Sequence, residues 1–197
     1  TGDAGDRALP ARRRTGLVTK FEFSIIASGL DPAAEDFEQR FYDAGCDDAA
    51  IAFQKGHIIV DFTREAKSIG DAIVTAVRDV QAAGARVDRV EPDPLVSLSD
   101  IAARTGMTRA AMTQYSKGQR ARDFPPPVAR VTSDSPLWDW ATVAKWLFHH
   151  DKLSRDAAIE AAAVRAANEA IGSRKSKLEE VLKGSLKAYE KELDRAA

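Results

Sequence analysis

LVSLSDIAARTGMTRAAMTQYSKGQRARDFPPPVARVTSDSPLWDWATVAKWLF, residues 95–148, is the stretch that decides the fold. Its beginning predicts a short helix over Ser99–Thr105, which Ser97 or Ser99 can cap. The apolar residues have the i, i+3, i+4 spacing of a buried helix face. They are Leu98, Ile101 and Ala102. Gly106 can adopt the positive φ of a tight turn, so we expect the helix to end there.

A second predicted helix follows the turn, from Arg109 to about Ser116, with Thr108 as its N-terminal cap. Its inward positions are Ala111, Met112 and Tyr115. Two short helices joined by a turn that contains glycine form the helix-turn-helix signature. The second helix of such a motif lies in the major groove of DNA. Helix 109–116 is therefore the predicted DNA-contacting element.

The residues after this motif predict a small β-hairpin and a closing helix. The prolines of 124–128 exclude a helix there and favour an extended chain. Residues 128–131 and 137–139 can pair as a hairpin around the polar turn 132–135. Trp138-Asp139-Trp140 then leads into a helix. The apolar face of that helix is Val143, Ala144, Trp146 and Leu147.

Three motifs in this stretch resemble the winged helix-turn-helix domains of the MerR type and of the phage excisionase type. They are L-x-x-I-A-x-x-x-G-M-T at 98–108, F-P-x-P-V at 124–128 and W-x-x-x-x-V-x-x-W-L at 138–147. The resemblance implies a winged helix-turn-helix over residues 95–150 that binds double-stranded DNA. Recognition helices of the MerR type often carry Arg where Thr113 stands here, so the base-contacting residues depart from the family pattern.

The outward positions carry the DNA-binding prediction, because the apolar positions only support the fold. The candidate DNA-binding residues are Thr108, Arg109, Thr113, Gln114, Lys117, Arg120, Arg122 and Arg130, and Arg104 is also expected to point outward. The fork of Arg109 suits guanine and the amide of Gln114 suits adenine. Three alternatives stay open: Arg109 binds only phosphate, the motif binds protein or RNA, or it is a helical bundle without a ligand.

The charge distribution favours nucleic-acid binding by this stretch alone. The formal net charge of the chain is −1, but residues 95–150 hold seven basic and four acidic side chains. Residues 20–94 hold eight basic and fifteen acidic ones. Affinity for nucleic acid depends on local neutralisation of phosphates. We therefore expect the acidic first domain to face away from DNA, although ordinary solvated surfaces would give the same counts.

Residues 20–91 show the order β-α-β-β-α-β, which predicts a ferredoxin-like α/β sandwich domain within an α+β protein. We expect a helix to start at Asp31-Pro32, a hairpin to turn at Lys55-Gly56, and a second helix to follow Ser68. The sheet face away from the helices carries Ser24, Ile26, Ala52, Gln54, His57, Ile59 and Asp61. This mixed face suits a protein partner, a second subunit or a small ligand, or it is simply solvated.

Both ends of the chain lie outside these domains. Residues 1–19 are expected to form a disordered arm, whose arginines 12–14 either touch phosphate or belong to a cloning remnant. The proline-containing segment 91–94 is expected to be a short, stiff linker between the two domains. Residues 152–197, after the second domain, predict a C-terminal helical hairpin. The second tail helix carries an apolar stripe that needs a partner: Leu178, Val181, Leu182, Leu186, Tyr189 and Leu193. The hairpin can close on itself or pair two chains, and the prediction is a homodimer through these helices.

Catalytic and metal-binding patterns are absent from the sequence. The carboxylates of Asp47 and Asp48 should raise the pKa of the Cys46 thiol, the wrong direction for a nucleophile. The three histidines do not have metal-ligand spacing. We therefore expect no enzyme activity, no metal and no other cofactor. No apolar run is long enough to span a membrane, and a single cysteine fits a reducing, cytoplasmic setting.

These patterns together predict a sequence-specific DNA-binding protein, a bacterial or phage transcriptional regulator that contacts the major groove with helix 109–116. The alternative is an adaptor or antitoxin-like protein whose N-terminal domain or C-terminal helices bind another protein. DNA binding at moderate salt separates these two interpretations.

Overall fold

The computed structural model describes residues 18–173 and 177–195, which form a mixed α+β structure with seven helices. The strands are β1 (Thr19–Ser28), β2 (Ala49–Gln54), β3 (His57–Ala66), β4 (Arg86–Glu91), β5 (Leu95–Val96) and β6 (Trp138–Asp139). The helices are α1 (Phe37–Asp43), α2 (Ile69–Ala82), α3 (Leu98–Thr105), α4 (Arg109–Ser116), α5 (Trp140–His149), α6 (Arg155–Ser173) and α7 (Leu178–Arg195). Except for its last two residues, the predicted arm 1–19 lies outside the described residues.

The first four strands form one sheet in the order β2-β3-β1-β4, and every neighbouring pair is antiparallel. The core face of β1 buries Phe23, Ile25 and Ala27, as the alternation of side chains along a strand requires. Lys55 and Gly56 have φ values of 50° and 80°, the backbone of a two-residue hairpin turn between β2 and β3. We call residues 19–91 the sheet unit.

Helices α1 and α2 pack on the buried face of the sheet. The Ser68 hydroxyl caps α2 by accepting a hydrogen bond from the Asp71 N–H at 3.1 Å. The prediction that a helix starts at Asp31 was wrong, because α1 starts only at Phe37. The Asp31 side chain instead accepts a hydrogen bond from the Ala33 N–H at 2.9 Å. Such a local bond stabilises a turn that competes with the helix.

Residues 95–150, which we call the helical unit, form a second core with α3, α4 and α5 around Met112. Ser97 and Asp100 form a capping box at α3, so Ser97 is the cap rather than Ser99. Gly106 ends α3 with φ 67°. The Thr108 hydroxyl then caps α4. These local signals are the reason that both helices fall where the sequence predicts them.

The hairpin predicted between 128–131 and 137–139 is only partly formed. Ala129 and Leu137 make an isolated bridge, and the chain leaves the extended conformation at Arg130, which has φ 50°. β6 pairs with β5 instead, and this places Val96 opposite Trp138. Both of these side chains are buried in the core of the helical unit, which explains the choice of partner.

Helices α6 and α7 pack on both cores. Ala163, Val164 and Ala167 of α6 are buried with the sheet unit, whereas its Ala158, Ala161 and Ala162 are buried with the helical unit. The apolar stripe of α7 divides in the same way: Leu182 joins the first core, and Tyr189 and Leu193 join the second. The buried members of the stripe are thus covered within one chain, and Leu178, Val181 and Leu186 are partly buried. This weakens the reason for which a homodimer through these helices was predicted.

Candidate nucleic-acid interface

One face of α4 is turned to solvent. Its outer side chains are Arg109, Thr113, Gln114 and Lys117, of which only Thr113 is partly buried. Its inner side chains are Ala111, Met112 and Tyr115, and all three are buried. Arg109 stands in the first turn, the end of a recognition helix that approaches base edges. The exposed face therefore offers the guanidinium of Arg109, the single amide group of Gln114 and, just after the last turn, the ammonium of Lys117.

The hydroxyl groups of the two candidate threonines are engaged inside the helix. Thr108 Oγ1 accepts a hydrogen bond from the Ala111 N–H at 3.1 Å and keeps its proton free to donate. Thr113 Oγ1 donates to the Arg109 C=O at 3.0 Å. A phosphate contact by the Thr113 hydroxyl would break this bond, whereas a methyl contact with thymine would not. Thr108 is therefore the better phosphate donor of the two.

A tight turn at Gly118 ends α4 and reverses the chain. Gly118 has φ 66°, and its N–H and that of the next residue bind the C=O groups of Tyr115 and Gln114 at 2.9 Å each. These bonds define a Schellman motif, which needs a residue with positive φ after the helix. The chain then folds back beside the helix C-terminus. Arg120 and Arg122 follow in exposed positions of this loop.

Phe124 anchors the far end of the loop 118–124. Its ring centroid lies 5.0 Å from that of Trp146 and 6.2 Å from that of Tyr115. The Arg120 guanidinium lies 5.7 Å from the centre of the Tyr115 ring, within reach of a cation–π contact. The loop is held by the Gly118 turn at one end and by an aromatic cluster at the other. Its cations are consequently displayed from a restrained backbone next to α4.

Arg130 belongs to a different segment of the helical unit. It starts the turn 130–133, where its C=O accepts hydrogen bonds from the N–H and the hydroxyl of Ser133 at 2.9 Å each. The apolar side chains of Val128 and Val131 on either side are exposed. Its assignment to one interface with α4 stays a prediction.

The basic side chains between 109 and 130 lack carboxylate partners within the described part of the chain. These residues, which we call the basic segment cations, are Arg109, Lys117, Arg120, Arg122 and Arg130. The single carboxylate of this range, Asp123, lies 3.5 Å from the imidazole of His150 instead. In the sheet unit, by contrast, every arginine pairs with a carboxylate: Arg40, Arg64, Arg78, Arg86 and Arg89. The two units therefore differ in free positive charge more than the residue counts indicate.

Arg104, which was expected to point outward, has a structural role instead. Its Nη2 donates to the Asp93 C=O at 2.9 Å, and its guanidinium lies 5.2 Å from the Trp140 ring centre. Burial lowers the pKa of this guanidinium. The backbone N–H of Trp140 also donates to the Pro94 C=O at 2.7 Å. Arg104 is thus removed from the candidate interface, and the linker is fixed against the helical unit.

Sequence reasoning missed Gln119, which is exposed in the same loop as Arg120 and Arg122. Its amide can hydrogen-bond to a phosphate or a base edge, as the amide of Gln114 can. The only sequence signal was its position directly after the helix-ending Gly118. Gln119 was not predicted because the candidates after α4 were chosen by positive charge, which glutamine lacks.

The sheet unit contains a free thiol at Cys46, and this side chain is buried. Burial raises the pKa of its thiol to about 11, and the Asp79 carboxylate acts in the same direction. The sequence attributed such a rise to Asp47 and Asp48, but both contribute less than burial does. The thiol is therefore protonated at neutral pH.

Comparison with protein families, with curated proteins and with solved structures gives no significant match. In the described ranges, no helix combines the length and the apolar character needed to cross a bilayer. In those same ranges no group of three or more His, Cys, Asp or Glu side chains is arranged to hold a metal ion. Function is consequently inferred from the geometry of the helical unit alone.

Proposed function

We propose that this chain is a sequence-specific DNA-binding protein, a bacterial or phage transcriptional regulator that acts in the cytoplasm without catalysis and without a cofactor. The observation that carries the proposal is the set of basic segment cations, which are exposed and have no carboxylate partner in the part of the chain that the structure describes. Lys and Arg that have no protein partner remain available for phosphates, and each phosphate neutralised releases counterions.

We also propose a fold type for each of the two units. The strand order β2-β3-β1-β4 and the element order β-α-β-β-α-β support a ferredoxin-like sheet unit. The two capped helices joined at Gly106, followed by the extended proline segment and α5, support a winged helix-turn-helix for residues 95–150. This is the domain type implied by the resemblance to MerR-type and excisionase-type proteins.

The contacts divide into two kinds. Arg120, Arg122 and Lys117 lie at the C-terminal end of α4 and after it, where they can neutralise phosphates on the side of the groove. Arg109 and Gln114 project from α4 itself, and their side chains match guanine and adenine edges. The first set gives affinity for any sequence, and the second set gives preference among sequences.

The test is a salt titration of binding to duplex DNA from upstream of the chain's own gene, measured by fluorescence anisotropy. The double substitution Arg120→Ala and Arg122→Ala should weaken binding to every sequence and reduce the salt slope by about two units, near one per lost phosphate contact. The matched control is Arg86→Ala with Arg89→Ala, since both of those arginines are ion-paired in the sheet unit. Equal affinity and slope for the wild type and the loop variant would contradict the proposal.

A second candidate is an adaptor or antitoxin-like protein, and the open face of the sheet favours it. Glu22, Asp61 and Glu91 line a shallow depression there, with Ser24 donating to Asp61 at 2.5 Å. An acidic surface of this kind suits a basic protein partner or a cationic ligand. Failure of the wild-type chain to bind duplex DNA at moderate salt would favour this candidate over the regulator.

A further inference from the structure

The two edges of the four-stranded sheet differ in how their backbone groups are satisfied. At the β4 edge, the side chain of Asn168 from α6 replaces a neighbouring strand. Its Oδ1 accepts from the Val90 N–H at 2.8 Å and its Nδ2 donates to the Val90 C=O at 2.9 Å. At the β2 edge no side chain of the described residues makes such contacts with Ile51 or Phe53. An uncovered edge is a template for another strand.

The register of β2 with β3 identifies the backbone groups that point outward. A two-residue hairpin places its flanking pair, Gln54 and His57, in a hydrogen-bonded position, and such pairs then alternate along the ladder. The Thr63 N–H donates to the Asp48 C=O at 3.0 Å, and this agrees with the alternation because Asp48 is an even number of residues from Gln54. The even-numbered residues of β2 therefore bond to β3. The N–H and C=O groups of Ile51 and Phe53, and the C=O of Ala49, face outward.

The composition of β2 gives this edge no protection against pairing. Its sequence AAIAFQ contains no charge and no proline, two of the features that usually block edge-to-edge contact. Phe53 is 46% exposed, and Tyr42 of the neighbouring α1 is 63% exposed. A depression lined by Tyr42, Ala49 and Ile51 lies beside the strand. Apolar side chains and free backbone groups thus occur together at one place.

Charge complementarity selects a second copy of the chain as the occupant, in one register. If β2 pairs antiparallel with β2 of another copy and Ile51 lies opposite itself, Ala49 lies opposite Phe53. Asp47, in the turn before β2, then comes level with Lys55, the first residue of the hairpin turn, just beyond both ends of the paired strands. Both of these charged side chains are exposed and free of ion pairs among the described residues. A shift of two residues in either direction removes both of these opposite-charge pairs.

We propose that the chain forms a two-fold symmetric dimer through β2, which joins two four-stranded sheets into one continuous sheet. Four hydrogen bonds connect the strands: two between the Ile51 residues, and one from each Phe53 N–H to the Ala49 C=O of the other copy. The Ala49 N–H is not counted, because it already bonds to the Cys46 C=O at 3.2 Å. If the proposed DNA-binding function holds, the two-fold axis makes the operator a palindrome.

The first test compares Phe53→Pro with Phe53→Val in sedimentation equilibrium at micromolar protein without DNA. Both variants remove the ring, but only proline removes the outward N–H, which makes no bond to β3. We expect Phe53→Pro to raise the dimer dissociation constant by roughly tenfold or more, since two of four hydrogen bonds are lost. Phe53→Val should remain a dimer. A monomeric wild type, or equal dissociation constants for the two variants, would overturn the proposal.

The second test reverses charges and does not perturb the strand. Asp47→Lys and Lys55→Asp each place like charges opposite one another, so each alone should raise the dissociation constant by roughly fivefold or more at low salt. The double variant restores both pairs and should recover the wild-type value. Lys55→Asp suits the hairpin turn, because aspartate before glycine is preferred there. No effect of either single variant, or a double variant no tighter than the singles, would show that another surface, such as the tail, forms the dimer. Both tests are made without DNA, so their failure is distinct from failure of DNA binding.

Discussion

The guanidinium of Arg109 stands in the first turn of α4, exposed and without a carboxylate partner among residues 18–173 and 177–195. At the scale of a single residue, it can serve in either of two ways if the chain binds DNA as proposed. A bidentate bond to guanine O6 and N7 needs the planar fork of arginine, whereas a phosphate contact needs only a positive charge. A substitution that keeps the charge and removes the fork therefore separates the two roles.

Arg109→Ala should cost about 1–3 kcal/mol at one operator position and relax specificity there. Arg109→Lys should keep most of the general affinity and lose the same preference. A binding-site selection with the wild type and both variants measures this. If the base preferences of all three proteins agree at every position, Arg109 does not recognise a base, and a uniform loss of affinity in Arg109→Ala would then indicate a phosphate contact.

The buried Arg64 illustrates what single residues in a sequence do not disclose. Its guanidinium binds Asp48 with two hydrogen bonds of 2.8 Å and Asp79 with one of 2.7 Å. Nothing in the residues around Arg64 indicates that its side chain is buried. Its partners come from α2 and from the turn before β2, and no local pattern links them.

At the scale of elements, α3 has two serines near its start and uses one of them. Ser97→Ala should destabilise the chain by about 1 kcal/mol, because the capping box is lost. Ser99→Ala is the matched control, since Ser99 makes no cap, and it should leave the urea midpoint unchanged. Equal effects of the two substitutions would contradict the assignment of the cap.

The same cap predicts a pH dependence. Hydrogen bonds from Ser97 hold the pKa of Asp100 below its ordinary value. A group whose pKa is lower in the folded state stabilises the protein above its unfolded pKa and loses that effect as the pH falls through the folded pKa. The difference in unfolding free energy between wild type and Asp100→Asn should thus be constant near neutral pH and shrink below about pH 4. Urea titrations across this range measure it.

Elements with local signals could be predicted, and elements that depend on distant partners could not. Ser68 caps the start of α2 and Gly84 follows its end. In the same way Thr108 caps the start of α4 and Gly118 follows its end, so each signal lies within a few residues of a helix terminus. α1 and the β5–β6 pair are different. The Asp31 side chain closes a turn where a helix was expected, and Trp138 pairs with Val96, more than forty positions away. The exposed residues of α4 followed from its helical spacing, whereas the burial of Arg104 depended on the linker.

At the scale of the whole molecule, the two cores should unfold together. Leu182 of α7 is 1% exposed and belongs to the core of the sheet unit, whereas Trp138, Trp140 and Trp146 all lie in the helical unit. Leu182→Ala should cost about 2–5 kcal/mol for the cavity it leaves. Because α6 and α7 belong to both cores, we expect the transition followed by tryptophan fluorescence to shift by that amount.

Leu193→Ala, in the core that contains the tryptophans, is the matched comparison and should shift the same transition. In Leu182→Ala, the transition followed by far-UV circular dichroism could shift while the transition followed by tryptophan fluorescence does not. That result would mean that the two cores unfold separately.

The sharing of α6 between both cores limits how this chain can be cut or recombined. A fragment that ended at residue 150 would leave the helical unit without the alanine face of α6 that completes it. The sheet unit alone would lose the α6 alanines that pack on its core, and also the Asn168 amide that binds the β4 edge. Neither unit is therefore a portable module that could be grafted onto another protein or exchanged by gene fusion. A transplant that preserves function has to carry the helix with both of its neighbours.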